Sequence, residues 1–247
     1  MDFSGFFVFV LIGSVTGFLS GLFGIGGGSV RIPLLVFAGV PLINAFGINM
    51  FAIPFSSVAG AYVQRKNIDW VALNPFALGG LIGIVIATIA VGFAPDSFLA
   101  VVFFLSAILT IAGLYLDKIS PAFYDTLKPT KHNLFFGAFF ANILIGLRGG
   151  SGGTAFPPIL CALHVRMHNA VATSLAASFL TSVAALLIYL YRGDILVASA
   201  VIVAFTGAVG SFFGGKISIH AESKFLKAGL ATMVFLLALY VLYVGFA

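Results

Sequence analysis

The chain has 247 residues, of which 61% are hydrophobic and only 8% charged, and its mean hydropathy is +1.19. A soluble domain carries about 25% charged residues, so this chain cannot cover a water-facing surface and reads as an integral membrane protein with no room for a soluble domain. Its net charge of +5 is then cytoplasmic loop charge rather than a nucleic-acid surface, and a single cysteine, Cys161, excludes an internal disulfide framework.

A spanning helix needs roughly 20 mostly apolar residues. The first such run, 3–22, has only Asp2 ahead of it and no basic stretch, so it reads as a retained helix and not a cleaved signal peptide. It ends in "GLFGIGGGSVRIP", residues 21–33, where glycines and Arg31 interrupt the apolar pattern. The piece that follows, 28–39, is too short to span upright, because about 11 residues reach only ~17 Å of a ~30 Å core. Full-length runs follow at 44–64, 70–92 and 97–116. Residues 117–131, "DKISPAFYDTLKPTK", carry prolines, lysines and aspartates without a helical stripe, and read as a water-exposed connector. The slightly short run 132–147 ends in a second glycine cluster, "GLRGGSGGTAFPP", which contains Arg148. A second short piece, 153–163, precedes the runs 168–191, 195–214 and 223–246.

The chain also matches itself. At an offset of 125, residues 21–70 align with 146–195 without a gap, pairing Gly21 with Gly146, Gly24 with Gly149, Gly27 with Gly152, Gly28 with Gly153, Pro33 with Pro158, Asn44 with Asn169 and Asp69 with Asp194. Aligned Gly, Pro, Asn and Asp are hard to obtain from apolar composition alone, so the chain reads as a tandem duplication. If each half-helix carries the chain across the membrane, the halves are inverted. Arg65, Lys66, Lys118, Lys128, Lys131, Arg166, Lys216, Lys224 and Lys227 then share one side, as the positive-inside rule favours. The expected fold is an all-α polytopic membrane protein of two inverted repeats, with about eight full spanning helices and two half-helices meeting near the midplane. Its parts are a first transmembrane repeat, 1–116, a cytoplasmic connector, 117–131, and a second transmembrane repeat, 132–247.

Backbone at membrane depth must be hydrogen-bonded or line a protein-enclosed, wet cavity. Glycine clusters unwind a helix and expose N–H groups, and the next helix presents its positive dipole end there. The half-helices are expected to start near Gly28–Ser29 and near Gly153–Thr154, with Ser29 and Thr154 aligned as capping or ligand hydroxyls. Two such N-termini meeting at the midplane make an anion site, with backbone N–H groups around Gly26, Gly27, Gly28, Ser151, Gly152 and Gly153. Arg31 and Arg148 would each cost about 2.5–3.5 kcal/mol facing lipid at mid-bilayer, so they are expected to face the cavity, where an arginine fork suits an oxyanion. The alternatives stay open that the glycines only permit close helix packing and that either arginine snorkels to an interface.

The stretches "GLFGIGGGSVRIPLLVFAGVPLINAFGINM" and "GLRGGSGGTAFPPILCALHVRMHNAVATSL" resemble the paired signatures of the TauE/SafE-type sulfite exporter family. That pattern is a G-x-G-G-G cluster, a proline some five residues on, then an alanine followed by small polar residues, twice per chain. The resemblance implies a secondary transporter of the cell inner membrane that exports sulfite, sulfonates or related small anions by alternating access. By position it falls on Gly26, Gly27, Gly28 and Pro33, then Gly152, Gly153 and Pro158, and the polar positions that follow are Asn44, Asn49, Asn169, Thr173 and Ser174. Two departures stand out: Ile48 occupies the place of Thr173, and Ser151 interrupts the second glycine run. Thiosulfate-uptake siblings depend on several cysteines, so the lone Cys161 argues against that chemistry.

Cys161, His164 and His168 have helical spacing, but no further cysteine or carboxylate stands nearby to complete a metal shell. They read as a half-helix end with interfacial histidines, and neither metal nor cofactor is expected. Asp69 and Asp194 are the aligned carboxylates and so the candidates for proton coupling, yet each lies just before an apolar span and reads as a helix N-cap. A coupling ion, if used, is a proton or sodium. No Ser/His/Asp set, H-E-x-x-H or Walker loop is present, so no enzyme is expected. The competing readings are an anion channel, a transporter of another small anion such as a carboxylate, and a membrane scaffold.

Overall fold

The computed structural model describes residues 3–91, 105, 108, 111–147 and 149–246; Arg148 and most of the expected span 97–116 lie outside the described residues. Among the described residues all regular structure is helical. Helix α1, Phe3–Phe23, is followed by the short α2, Gly28–Phe37, the long α3, Leu42–Val63, a 3-10 turn, Arg65–Asn67, and α4, Trp70–Ala90. The connector carries α5, Leu116–Ile119, and α6, Pro121–Thr126. Then come α7, Lys131–Gly146, the short α8, Phe156–Ala162, and three long helices, α9, Met167–Arg192, α10, Val197–His220, and α11, Ser223–Phe246. Five of the described helices (α1, α3, α4, α9 and α10) are long and apolar enough to cross a membrane.

Helix ends follow local chemistry where a capping side chain is present. Asp69 caps α4, its carboxylate accepting from the Val71 and Ala72 N–H groups at 3.1 and 3.0 Å, and Thr130 caps α7 by accepting from Asn133 N–H. Three expectations need correction. Asp194 does not cap α10, whose N-cap is Leu196; its carboxylate pairs with Arg192 Nε at 2.8 Å, because left-handed Gly193 turns the chain back between them. The second half-helix starts at Phe156 rather than near Gly153–Thr154. Ala155 and Phe156 both donate to the Gly152 carbonyl, closing a turn first, and Pro157, which needs no intrahelical donor, fits the opening turn. The connector is not pure loop: Ser120–Pro121 starts one of its two short helices.

Long helices pair through glycine, which lets backbones approach closely in a membrane interior. Helix α1 lies along α10, where a Cβ on Gly17 would fall 2.1 Å from the Gly207 carbonyl oxygen and one on Gly214 2.1 Å from that of Phe18. Helix α4 lies along α7, where Gly79 and Gly83 meet the Phe135 and Phe139 carbonyls at 2.0 and 2.3 Å in the same sense. Helices α3 and α9 run between these pairs, packing on each other, α3 also on α10 and α9 also on α4. One apolar core gathers around Phe76, Phe156, Leu160 and Leu175, and another around Leu35, Ile48, Ala52 and Val203.

The glycine seam makes a direct prediction. Gly17→Ala forces a methyl into the Gly207 backbone and should destabilise by about 1–3 kcal/mol, lowering the Tm in detergent. Gly5→Ala, with nothing within 4 Å of the new methyl, should leave the Tm where it is. Equal melting of the two variants would show that the seam is not tightly packed.

Candidate functional site

The two glycine breaks meet. After α1 the chain passes through Gly24, Gly26 and Gly27 with φ of 75, 66 and 78°, left-handed values that a side chain would strain, and α2 starts at once. After α7 it does the same through Gly149 and Gly152, with φ of 74 and 42°. A Cβ on Gly153 would fall 2.2 Å from the Ile25 carbonyl oxygen, so the breaks are in backbone contact. Across the junction Ser29 Oγ and Thr154 Oγ1 lie 3.1 Å apart, both buried.

Each break is also held by the long helix of the other half of the chain. Asn49 of α3 donates its Nδ2 to the Gly149 carbonyl at 2.7 Å, and Ser174 of α9 donates to the Gly24 carbonyl. The four residues are related by the same offset: 49 to 174 and 24 to 149. The backbone of Gly24 rests on Val171 and that of Gly149 on Phe46, another pair at that offset.

Arg31, one turn into α2, is fully buried. Its side chain runs back towards the helix start, as helical side chains do, so that Nη2 would lie 2.9 Å from a Cβ on Gly27. Nε donates to Thr16 Oγ1 at 3.1 Å, Nη1 to Asn49 Oδ1 at 3.0 Å and Nη2 to Ser56 Oγ at 3.2 Å. Thr16 and Ser56 pass their own protons to the Ile12 and Ala52 carbonyls, which leaves their lone pairs for the guanidinium. Each of these three partners is neutral, and among the described residues the one ion pair is Arg192–Asp194.

Gly26 is the least crowded glycine of the two breaks. A Cβ there would find Ile53 Cγ2 at 3.6 Å and the Ser151 and Ser178 hydroxyl oxygens at 3.7 Å each, whereas at Gly27, Gly28, Gly152 and Gly153 the nearest atoms lie within 3.0 Å. Ser151 and Ser178 are buried, and neither hydroxyl has a partner. The junction therefore sets two uncommitted hydroxyls around a glycine with room for a methyl group, next to Gly27 and the Arg31 side chain folded over it.

Of the residues singled out in the sequence, Gly26, Gly27, Gly28, Ser29, Arg31, Asn49, Ser151, Gly152, Gly153, Thr154 and Ser174 come together at or around this junction. Asn44, Asn169 and Thr173 are engaged elsewhere or stand back from it. Asn44 donates to the Asp194 carbonyl and Thr173 accepts from the Asp69 N–H, while Asn169 is half-buried in the first turn of α9. Cys161 and His164 diverge: Cys161 turns inward to Met167 Sδ, and the His164 ring lies tilted against Tyr124 in the connector. Thr16, Ser56 and Ser178 were not singled out. A lone hydroxyl in a helix that is apolar all round gives no periodic signal of which way it faces.

The family described as sulfite exporter TauE/SafE matches residues 9–241. A probable membrane transporter protein of Methanocaldococcus jannaschii is 29% identical over 258 aligned positions, covering 94% of each chain. One of Haemophilus influenzae is 24% identical over 253 positions, 93% of this chain and 95% of its own. The probable membrane transporter protein YdhB of Bacillus subtilis is 35% identical over 106 positions, 42% of this chain and 43% of its own. No solved structure matches.

The network around Arg31 should be more sensitive than its image around Ser174. Asn49→Ala strips an acceptor from a buried cation and a donor from the Gly149 carbonyl, and should cost about 2–4 kcal/mol. Ser174→Ala removes one neutral hydrogen bond and should cost about 1 kcal/mol. Thermal unfolding of both variants in the same detergent checks the order; a reversed order would mean that Asn49 is not what holds the cation.

Proposed function

The chain belongs to the sulfite exporter TauE/SafE family, and we propose that it is a secondary transporter of a small sulfur-containing oxyanion, sulfite or an organosulfonate, exporting it across the cell inner membrane. It is a multi-pass membrane protein; the family and its relatives are membrane transporters, not enzymes. The observation that carries the reading is Arg31: a permanent cation with no exposure to solvent, and only neutral partners among the described residues. An uncompensated buried charge costs several kcal/mol, and hydroxyls and an amide return part of that. An anion bound nearby returns the rest, so the fold gains from the ligand that it is built to carry.

The anion occupies the space in front of Gly26. The hydroxyls of Ser151 and Ser178 bind it, N–H groups at Gly26, Gly27 and Gly28 approach it from the first turn of α2, and Ser29 and Thr154 close the junction beside it. A dipole end contributes roughly 0.3–1 kcal/mol, up to ~2 when partly buried, so hydrogen bonds and the Arg31 charge supply most of the affinity. Arg31 acts from behind the glycine break, its fork held by Thr16, Asn49 and Ser56, and sets the field rather than clasping the anion. Gly152 and Gly153 keep the second break close enough for Ser151 to reach the site.

Transport proceeds by rocking of inverted repeats around this site. The reciprocal contacts support such symmetry: Asn49 to Gly149 with Ser174 to Gly24, and α1 on α10 with α7 on α4. The pairs α1–α10 and α4–α7 then move against each other, with α3 and α9 as the surfaces between. In this arrangement the connector and the Arg65–Asn67 turn, both basic, lie on the cytoplasmic side, as the positive-inside rule favours.

Counterflow of labelled sulfite in proteoliposomes tests the reading, with unlabelled sulfate, thiosulfate, small sulfonates and carboxylates as competitors. Saturable exchange that sulfur oxyanions alone compete is expected. Arg31→Met removes a buried charge for similar volume but leaves Asn49 Oδ1 without its donor; it should still fold, and should lose about a hundredfold or more in flux, equal to roughly 2.8 kcal/mol. Ser151→Ala and Ser178→Ala should each raise the half-saturating concentration several-fold. Undiminished exchange in Arg31→Met would sink the site assignment.

A further inference from the structure

Asn142, on α7, is fully buried, and neither its Oδ1 nor its Nδ2 has a partner. It lies between α4 and the second glycine break: a Cβ on Gly152 would fall 2.7 Å from Oδ1, and one on Gly80 2.7 Å from Nδ2. The first break also has an amide close by, though not at the matching positions, since a Cβ on Gly28 would fall 2.7 Å from Asn49 Nδ2. The two differ in what they do. Asn49 spends its oxygen on Arg31 and its nitrogen on the Gly149 carbonyl; Asn142 spends neither. An unmade hydrogen bond at a buried polar atom costs about 1–3 kcal/mol, a cost that leucine, of the same branched shape though bulkier, would remove.

The surroundings say what would satisfy this amide. Thr181 Cγ2 and Asn142 Nδ2 crowd the same point beside Gly80, at 2.9 and 2.7 Å, and Thr181 follows Ser178 by three residues on α9. Three helical residues rise roughly 4.5 Å, so the amide stands about one turn from the hydroxyl-lined space at Gly26. The Phe156 ring flanks the interval, its Cε1 2.3 Å from a Cβ on Gly152 and its Cζ 3.5 Å from one on Gly80. The described carboxylates, Asp69, Asp117, Asp125, Asp194 and Glu222, stand at helix ends or in the connector, which removes the usual partners of a cation. An amide offers a donor and an acceptor together, and so does an alcohol.

We infer that Asn142 forms a second, uncharged subsite that takes a hydroxyl group borne by the transported anion. This rests on the transport site proposed above and names its substrate class more closely: a small hydroxyl-bearing sulfonate, its acidic head at Gly26, Ser151 and Ser178, its short carbon chain along Phe156 and its hydroxyl on Asn142. Bare sulfite fills only the head position.

Two sulfonates of equal charge and nearly equal shape, 2-hydroxyethanesulfonate and 1-propanesulfonate, separate the subsite from the head position. Their affinities are measured by ligand-induced thermal shift on the purified full chain in detergent, with sulfite alongside. In the wild type the hydroxyl compound should bind about tenfold tighter or more, because a site that hydrogen-bonds a hydroxyl rejects the isostere lacking it. In Asn142→Leu the preference should vanish while propanesulfonate and sulfite still bind, and the ligand-free protein should melt at or above the wild-type temperature. That pairing of lost selectivity with retained stability is one that a merely structural asparagine would not give. Equal binding of the two sulfonates by the wild type overturns the subsite alone, as does a preference that persists in Asn142→Leu. Binding of neither sulfonate nor sulfite overturns both the subsite and the proposed transport function.

Discussion

A guanidinium with no exposure and no carboxylate is the constraint around which the first half of this molecule is arranged. Arg31 draws one acceptor from α1, Thr16, and two from α3, Asn49 and Ser56, while Gly207 of α10 leaves room beside Nη2. Four elements thus converge on one charge. Gly27 must lack a side chain because the guanidinium folds back over it, and Asn49 must be an amide because it links that charge to the second break at Gly149. Removing a neutral acceptor here is more costly than losing a hydrogen bond elsewhere, since it exposes a charge rather than a dipole to an apolar interior.

The second half has the same frame with different contents. Position 156 holds phenylalanine where position 31 holds arginine, and its ring packs edge-on against Phe76 at 4.7 Å between centroids. The acceptors have changed in step: at the offset of 125, Thr16 meets Ala141, Asn49 meets Ser174 and Ser56 meets Thr181. With phenylalanine at 156 there is no guanidinium at this position for an amide at 174 to hold, and serine suffices to tie down Gly24. The aromatic pocket then leaves Asn142 without a partner. Among the described residues, one break carries a buried charge and the other neutral hydrogen-bonding groups.

Much of the frame was legible because it is local. Glycines with left-handed φ are marked by their own identity, and the start of α2 at Gly28 follows directly from the run before it. The start of α8 was not legible, because the turn from Gly152 to Ala155 is set by contact with Ile25, far off in sequence. Asp69 and Asp194 look alike in sequence and differ in structure: only the second has an arginine two residues earlier and a left-handed glycine between them. That Arg31 should avoid lipid follows from its charge, but which hydroxyls hold it depends on the rotation of helices that are apolar on every face. Ser178, Ser56 and Asn142 were hidden for the same reason, and Ser178 and Asn142 emerge through burial combined with missing partners, a property that exists only in three dimensions.

The asymmetry also bears on how a carrier lets go. A guanidinium gripping one small anion directly would hold it in a deep well, and a transporter needs binding that is firm enough to select and weak enough to reverse. Arg31 is set back, with three of its five N–H groups committed to neutral oxygens, so it favours negative charge without completing the anion's coordination. In the proposed site, direct contacts are left to hydroxyls and backbone N–H groups, each modest and each easily replaced by water. Such ligands also come from both breaks: Ser151 from one, the Gly26–Gly28 turn from the other. Any motion that separates the breaks divides the ligand set between its two halves, and the anion's affinity falls without any residue having to change its protonation or its partner in the Arg31 network.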